Sequence, residues 1–305
     1  MRLDAVTLKQ LRALRAVAEH GSLSAAAAAL GYTTPAIHSQ IKGLETAIGA
    51  ELLIHRGGGG GTQLTPEGEE MLRAAERIDG VLSQAGAQIR ARRGGRTGHV
   101  ALSVVSTAKY FAPHLVRLLH ERLPEVEIAL RVGNRLTVID DLDRARCALA
   151  IMGRPPRVPA VEAVPIGPHP HGIVVPPGHP LASRGAFDPE DLAQERFLSR
   201  EPGSGTRILM QRYLDRLDLT DTVETYELDS NETIKQGVIA GLGIAFLSLH
   251  TVHRELASGE LVALSGHFLP VMRHWYLVHP VERGLDPAAR RVADEINAMN
   301  GAFLP

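Results

Sequence analysis

The chain has 305 residues, a formal net charge of -1, 44% hydrophobic residues and 22% charged residues. This length predicts two or three domains, and the composition excludes a disordered chain. The single cysteine excludes an intrachain disulfide and indicates a reducing compartment. Residues 1–17 lack the apolar core of a signal peptide, and no apolar run reaches the roughly 18 residues of a membrane helix. We therefore expect a cytoplasmic protein without membrane contact. The near-neutral charge, taken alone, argues against a nucleic-acid partner.

Two glycine-rich stretches, residues 57–61 and 92–98, divide the chain into three parts. We predict a first domain over residues 1–65, a linker helix over 66–95 and a C-terminal domain over 96–305. Residues 1–95 carry 11 basic and 9 acidic side chains (+2), whereas residues 96–305 carry 22 and 25 (-3). This asymmetry has the sign of a nucleic-acid-binding head on a neutral body, but it is too small to decide the matter.

The first part has the pattern of a helix-turn-helix followed by a hairpin. Apolar residues at helical spacing predict a helix that ends at Gly21, a second capped by a following serine, and a third over residues 34–48. The outer face of the third helix is small, polar and cationic, which suits the major groove. Short strands on either side of the glycines predict a wing. A plain three-helix bundle with solvated faces fits the same spacing. The residues predicted to contact DNA are Ser22, Ser24, Thr33, Thr34, Pro35, His38, Ser39, Lys42 and Arg56.

A long helix is predicted from Pro66 to Arg93, about 40 Å at 1.5 Å per residue. Its apolar residues are spaced 4, 3, 4, 3, 4, as in a coiled-coil seam. Such a stripe needs a partner, either a second copy of the chain or the body of the same chain. Dimerisation would place two heads on one duplex and would require a two-fold-related operator. The predicted seam is Met71, Ala75, Ile78, Leu82, Ala85 and Ile89.

The third part alternates short apolar runs with amphipathic stretches, which predicts an α/β fold with parallel strands. Strands are expected at residues 100–105, 127–132 and 147–152. Ligands in such folds lie at strand ends and helix N-termini, where unpaired N–H groups favour anions. The turn at residues 201–207 is the most informative candidate, although an ordinary capped helix start explains it equally well. The predicted effector-binding residues are Ser106, Thr107, Met152, Gly153, Arg154, Ser204, Gly205, Thr206, Arg207, Asn231 and Glu232.

Other patterns predict neither a metal nor a catalytic site. His169 and His171 lack a second cluster with ligand spacing, so we expect solvated loop histidines. Cys147 lies in an apolar pattern and is expected to be a core thiol. The turn at 201–207 lacks the lysine of a nucleotide-binding P-loop, and no catalytic triad or carboxylate pair stands in a recognisable motif. We therefore expect no metal, no cofactor and no enzyme activity.

The residues themselves carry a family resemblance. The stretch LKQLRALRAVAEHGSLSAAAAALGYTTPAIHSQIKGLETAIGAELL, with LTPEG after the glycines, resembles the winged helix-turn-helix of LysR-type transcriptional regulators. The chain departs from the usual pattern at Thr34, where the family has Gln, and at His38, where it has Ser. The resemblance implies a mainly α head and a coiled-coil linker helix. It also implies a two-lobed body like a type 2 periplasmic-binding protein, with lobe I at 96–166 and 267–305 and lobe II at 167–266.

The body has its own resemblance. STAKYFAP, RVGNR, MGRPP, REPGSGTR, SNETIKQGVIAGLGIAFLSLHT and RHWYLVHP resemble regulators of Calvin-cycle (RuBisCO) operons within the LysR family. This implies an anionic effector, either a phosphorylated sugar intermediate or a nucleotide such as NADPH. It also implies a homodimer or homotetramer that binds double-stranded DNA and contacts RNA polymerase. The competing classes are a solute-binding protein and an anion-binding enzyme.

Overall fold

The computed structural model describes residues 1–55, 62–93, 97–184 and 187–305. The chain forms two compact units, one of Met1–Gly86 with Arg144–Arg146 and one of Ala87–Asp143 with Cys147–Pro305. The domain boundaries after residues 65 and 95 stay predictions. Within the described ranges, no helix is long and apolar enough to cross a membrane.

The first unit contains three short helices, a two-stranded hairpin and most of a long helix. The helices are α1 (Leu8–His20), α2 (Leu23–Leu30), α3 (Thr34–Ile48) and α4 (Pro66–Arg93), and the strands are β1 (Leu53–His55) and β2 (Thr62–Leu64). The strands pair antiparallel, with Leu53 opposite Leu64. This is the predicted order of helix-turn-helix and wing.

Local chemistry explains where these helices begin and end. The Ser22 hydroxyl accepts a hydrogen bond from Ala25 N–H and caps α2, while Thr33 accepts from Ala36 N–H and caps α3. Gly21 and Gly31 end α1 and α2 with φ of 73° and 69°, a conformation that other residues adopt only with strain. Ser22 and Thr33 are therefore the N-caps of α2 and α3.

The head has its own hydrophobic core. Leu14, Ile37, Leu44 and Leu52 are fully buried, and the buried residues of α2 are the small alanines Ala26 and Ala27. Each large side chain contributes about 1.5–3 kcal/mol by burial. The small residues of α2 let α1 and α3 approach closely, and this fixes which side of α3 remains outside.

The second unit is an α/β body. Its strands are β3 (Gly98–Val105), β4 (Val126–Gly133), β5 (Leu149–Met152), β6 (Val161–Val175), β7 (Arg196–Arg200), β8 (Glu224–Leu228), β9 (Ala245–Ser248), β10 (Val262–Ala263) and β11 (Val271–Pro280). Its helices are α5 (Ala112–Arg122), α6 (Arg135–Asp143), α7 (Pro189–Ala193), α8 (Gly205–Asp215), α9 (Asn231–Ile239), α10 (His253–Ser258) and α11 (Pro287–Ala298).

One seven-stranded sheet runs through this body in the order β10-β6-β11-β5-β3-β4, with β9 also paired to β6. Strands β4 and β5 are parallel to β3, as the strand–helix–strand pattern predicts. Helices α5 and α11 cover one face of this part, and α6 packs on the other. A second pair, β7 and β8, is parallel and joins β9 through a bridge between Phe197 and Ile244.

Two long antiparallel strands, β6 and β11, carry the chain between the two lobes. The whole of β11 pairs with residues 161–171 of β6, from Val271 opposite His171 to Pro280 opposite Val161. The predicted lobe boundaries after residues 166 and 266 stay predictions. Leu269 and Val271 are partly buried against the core that β7, β9 and α8 share, and the β6–β11 pairing is irregular between Trp275 and Tyr276.

Two local features bear on the site. Ser106 and Thr107 begin a 3-10 helix, Ser106–Tyr110, that follows β3 directly. Cys147 precedes β5 rather than lying in it, although its side chain is buried as expected.

Candidate functional sites

The outer face of α3 is the candidate DNA-reading surface. Its apolar side chains, Ile37, Ile41 and Leu44, are buried, and the predicted reading positions are exposed. These predicted positions on α3 are Thr34, Pro35, His38, Ser39 and Lys42, and Thr46 is exposed as well. Ser22 and Thr33 contribute capping hydroxyls, and Ser24 lies 3.2 Å from the Ser22 oxygen. The helix therefore presents polar groups on the side that a groove could meet.

Lys42, the cationic side chain of this face, forms an ion pair with Glu45. Lys42 Nζ lies 2.7 Å from Glu45 Oε2, and Glu45 Oε1 accepts a hydrogen bond from Leu52 N–H at 2.9 Å. Burial raises the pKa of Glu45, but the bonds from Lys42 and the backbone outweigh it and leave the pKa below its ordinary value. Arg56 and the glycine wing tip lie outside the described residues.

The apolar seam of α4 divides into two parts. Met71 and Ala75 pack against the core of the head, which is neither a second copy of the chain nor the body. Farther along, Ile78, Leu82 and Ile89 are 40%, 44% and 55% exposed, and Ala85 is exposed too. Large apolar side chains with this exposure form the surface that a partner helix would cover.

The second candidate site is a cleft in the body whose volume of about 740 Å³ includes space open to solvent. Its lining comes from the ends of β3 and β5, the start of α8, and the paired strands β6 and β11. The residues are Val105, Ser106, Thr107, Asn134, Arg135, Gly153, Arg154, His169, His171, Ser204, Gly205, Thr206, Ile208, Leu209, Arg212 and Arg273.

One side of the cleft offers hydroxyl and amide groups. Ser106 and Thr107 follow β3, while Ser204 and Thr206 begin α8. The Ser204 side chain makes no capping bond within the described structure, so the first amides of α8 face the cleft without a side-chain partner. A helix N-terminus with free N–H groups favours an anion.

Four arginines line the same cleft, and the lining contains no Asp or Glu among the described residues. The Arg135 guanidinium already donates hydrogen bonds to the backbone carbonyls of Arg154 and Pro155. The pKa of Arg154 is lowered by the positive charge of Arg212, by burial, and by the charges of Arg157 and Arg273. The cleft is therefore strongly positive, as an anion site requires.

His169 is a buried neutral base at the floor of the cleft. Its Nε2 lies 3.0 Å from Ser248 Oγ, and its Nδ1 has no hydrogen-bond partner among the described residues. Burial, followed by the nearby His171, His250 and Arg273, holds the pKa of His169 well below its ordinary value. His169 is thus a neutral imidazole with one nitrogen that lacks a partner among the described residues.

Four residues predicted for the effector site do not line the cleft. Met152 is fully buried in β5, below the Arg135 guanidinium. Arg207 points away and donates to the Arg200 carbonyl and to Glu227 Oε2, at 2.9 and 2.6 Å.

Asn231 and Glu232 are also absent from the residues that line the cleft. Asn231 Oδ1 accepts a hydrogen bond from Arg200 at 2.6 Å, and Glu232 accepts one from Tyr110 at 2.9 Å. Both side chains are held by these internal contacts and not by the cleft.

The sequence missed several lining residues for identifiable reasons. Gly205, Ile208, Leu209 and Arg212 have the spacing of one helix face, so the sequence could have predicted that Arg212 lies on the same side of α8 as Gly205. Arg273 could not be found, because only strand register places it opposite His169. The expectation of solvated loop histidines was wrong: His169 and His171 are 3% and 4% exposed in β6. His169 stacks on Trp275, with ring centroids 3.6 Å apart.

Among the described residues, His169, His171 and Cys147 belong to no candidate metal site. The described residues contain no group of three or more His, Cys, Asp or Glu side chains placed to hold a metal. Burial raises the pKa of the Cys147 thiol to about 12, so it is protonated at neutral pH.

Comparisons with known proteins agree with this arrangement. Residues 8–69 match the family model described as "Bacterial regulatory helix-turn-helix protein, lysR family", and residues 93–300 match "LysR substrate binding domain". The chain is 57% identical to the HTH-type transcriptional regulator CbbR of Cereibacter sphaeroides, over 100% of this chain and 98% of the relative. It is 36% identical to the RuBisCO operon transcriptional regulator of Allochromatium vinosum, over 93% of each chain.

A solved structure resembles the body. The CcmR regulatory domain of Synechocystis PCC6803, in complex with 2-PG, superposes with a TM-score of 0.63 and 32% identity, covering 66% of this chain and 97% of that one.

Proposed function

The chain belongs to the LysR family of bacterial transcriptional regulators, and from this premise we propose that it controls carbon-fixation genes in response to a phosphorylated small anion. It is a DNA-binding regulator with an effector-binding domain of the LysR type. The names of its relatives, CbbR and a RuBisCO operon regulator, support the choice of target genes.

The positive cleft is the observation that carries the effector proposal. It combines hydroxyls and helix amides with arginines, and its described lining has no carboxylate. The related CcmR domain was solved with 2-PG, a phosphorylated small anion. A phosphate would accept hydrogen bonds from these donors and offset their positive charge.

Dimerisation through α4 is the second part of the proposal. A second copy covering Ile78, Leu82 and Ile89 would bury the apolar surface that a single chain exposes. Two heads would then bind a two-fold-related operator, and a further interface between bodies would produce a tetramer. We further propose that effector binding changes the spacing of the heads and their contact with RNA polymerase in the cytoplasm.

A thermal-shift panel on the full chain tests the effector. We expect phosphorylated metabolites to raise the melting temperature, and unphosphorylated analogues to raise it less. Fluorescence anisotropy with a labelled duplex carrying an inverted repeat from a carbon-fixation promoter, against a scrambled duplex, tests the target. Equal binding to both duplexes would contradict the proposed target. A turnover screen on the same metabolites tests the competing anion-binding enzyme.

A further inference from the structure

We propose that Tyr110 and Glu232 form a latch that holds together two parts of the body with separate hydrophobic cores. The β3 core contains residues of β3, α5 and α11, and the 3-10 helix that Tyr110 ends contributes Ala108 to it. The α9 core contains residues of α9, β7 and β9, and Glu232 lies in the first turn of α9. The latch goes beyond the proposed function, because it does not depend on which ligand the cleft binds.

The first support is a hydrogen bond to a charged group across this boundary. The Tyr110 hydroxyl donates to Glu232 Oε2 at 2.9 Å, and Lys235 Nζ lies 3.0 Å from the other oxygen, Oε1. Burial raises the pKa of Glu232, but the bonds from Lys235, Tyr110 and Gln236 outweigh it and leave the pKa below its ordinary value. The carboxylate is therefore ionised at neutral pH, and a hydrogen bond to it is stronger than one between neutral groups.

The second support is the environment of the Tyr110 ring. The ammonium of Lys235 lies 5.4 Å from the ring centroid, and that of Lys109 lies 5.1 Å from it. Both distances permit a cation–π contact. Lys235 is only 6% exposed and its Nζ lies 2.7 Å from Glu255 Oε1, so its position is fixed by two carboxylates. The residues of α9 thus hold both the ring and the hydroxyl of Tyr110.

The third support is a second polar contact across the same boundary. Arg200, at the end of β7, donates to Ser106 Oγ at 3.4 Å and to Asn231 Oδ1 at 2.6 Å. Ser106 begins the 3-10 helix that Tyr110 ends, so both ends of this helix are bonded to the part of the body that contains the α9 core. Polar contacts exchange with water at a small net cost, whereas exposing an apolar core is costly. The boundary can therefore open while both cores stay intact.

The only tryptophan of the chain is placed to report such an opening. Trp275 is fully buried in β11, one of the two strands that connect the parts. Its Nε1 donates to His250 Nδ1 at 3.1 Å, and its ring stacks on His169. Because His250 follows β9, separation of the two parts would uncover the indole and expose it to a dissolved quencher.

Acrylamide quenching of Trp275 fluorescence in the full chain, without ligand or DNA, tests the latch. Tyr110→Phe removes the hydroxyl but keeps the ring, and Glu232 keeps its ion pair with Lys235. We expect the quenching constant to rise about 10-fold, the effect on an opening equilibrium of losing one hydrogen bond to a charged group. Tyr226→Phe makes the same change at an exposed side chain of β8 and should match wild type. An unchanged constant in Tyr110→Phe, or an equal rise in both variants, would overturn the latch.

A double variant tests whether the two residues act through one bond. Glu232→Gln should also raise the quenching constant, and combining it with Tyr110→Phe should add little, because both changes weaken the same contact. Fully additive effects would contradict the latch. The labelling rate of the buried Cys147 thiol should stay as in wild type. A parallel rise in that rate would mean that the whole body unfolds, and this would also overturn the latch. Each of these outcomes leaves the proposed function standing, since no ligand or DNA is present.

Discussion

Arg273 and His169 face each other across the antiparallel pair β6–β11, so both side chains lie on the same side of the sheet, at the floor of the cleft. Gly153 covers this floor. A Cβ at Gly153 would lie only 2.9 Å from His169 Nδ1, closer than real Cβ contacts allow. The absence of a side chain at Gly153 is therefore what leaves room for the imidazole in its present position.

We predict that Gly153→Ala weakens binding of phosphorylated anions about 10-fold or more, because the imidazole must move from the floor it shares with Arg273. Titration calorimetry measures the loss. Gly178→Ala is the control, since a Cβ there meets no atom within 4 Å. Unchanged affinity in Gly153→Ala would show that His169 plays no part in binding.

The divided seam of α4 predicts two different outcomes. Ile78→Asp with Leu82→Asp should abolish the dimer and leave the head folded, because both side chains are exposed in the single chain. Multi-angle light scattering reports the mass, and Ser83→Asp on the same helix controls for charge.

At the other end of the seam, Ala75→Asp should lower the melting temperature of the head, because Ala75 is 5% exposed in the head core and a buried charge is costly. A dimeric mass for the variant that combines Ile78→Asp with Leu82→Asp would contradict the proposal that these side chains form the dimer contact.

Lys42→Ala should weaken operator binding and reduce the salt slope by about 1, if Lys42 leaves Glu45 to meet a phosphate. Anisotropy titrations over a range of salt concentrations measure the slope. Lys9→Ala removes an exposed lysine from α1 and should leave it unchanged. A slope that Lys42→Ala does not alter would mean that the lysine keeps its ion pair with Glu45 on DNA.

The carboxylate of Glu45 should make the head sensitive to acid. Its folded pKa lies below the ordinary value of 4.5, so the ionised form stabilises the fold. That stability is fully present above pH 4.5 and is lost as the pH falls through the folded pKa. Urea unfolding as a function of pH should show a steeper acid decline in wild type than in Glu45→Gln. Glu19→Gln, at an exposed position, should follow wild type.

The sequence by itself determined the head, the linker helix and the start of the body. Caps, glycine stops and helical periodicity are local signals, so α1 to α4 and the strand–helix order from β3 to β5 could be predicted. Ser106, Gly153, Arg154 and Thr206 could be placed near the cleft because strand ends and helix starts have a local signature.

Only the tertiary structure decided the rest. The floor of the cleft depends on the register of two strands about 100 residues apart, and no local pattern encodes which residue faces which. For the same reason the direction of Arg207 could not be read: its partner Glu227 comes from β8, the strand beside β7. Local sequence determines where helices and strands begin and end, whereas the partner of a side chain depends on how distant segments of the chain pack together.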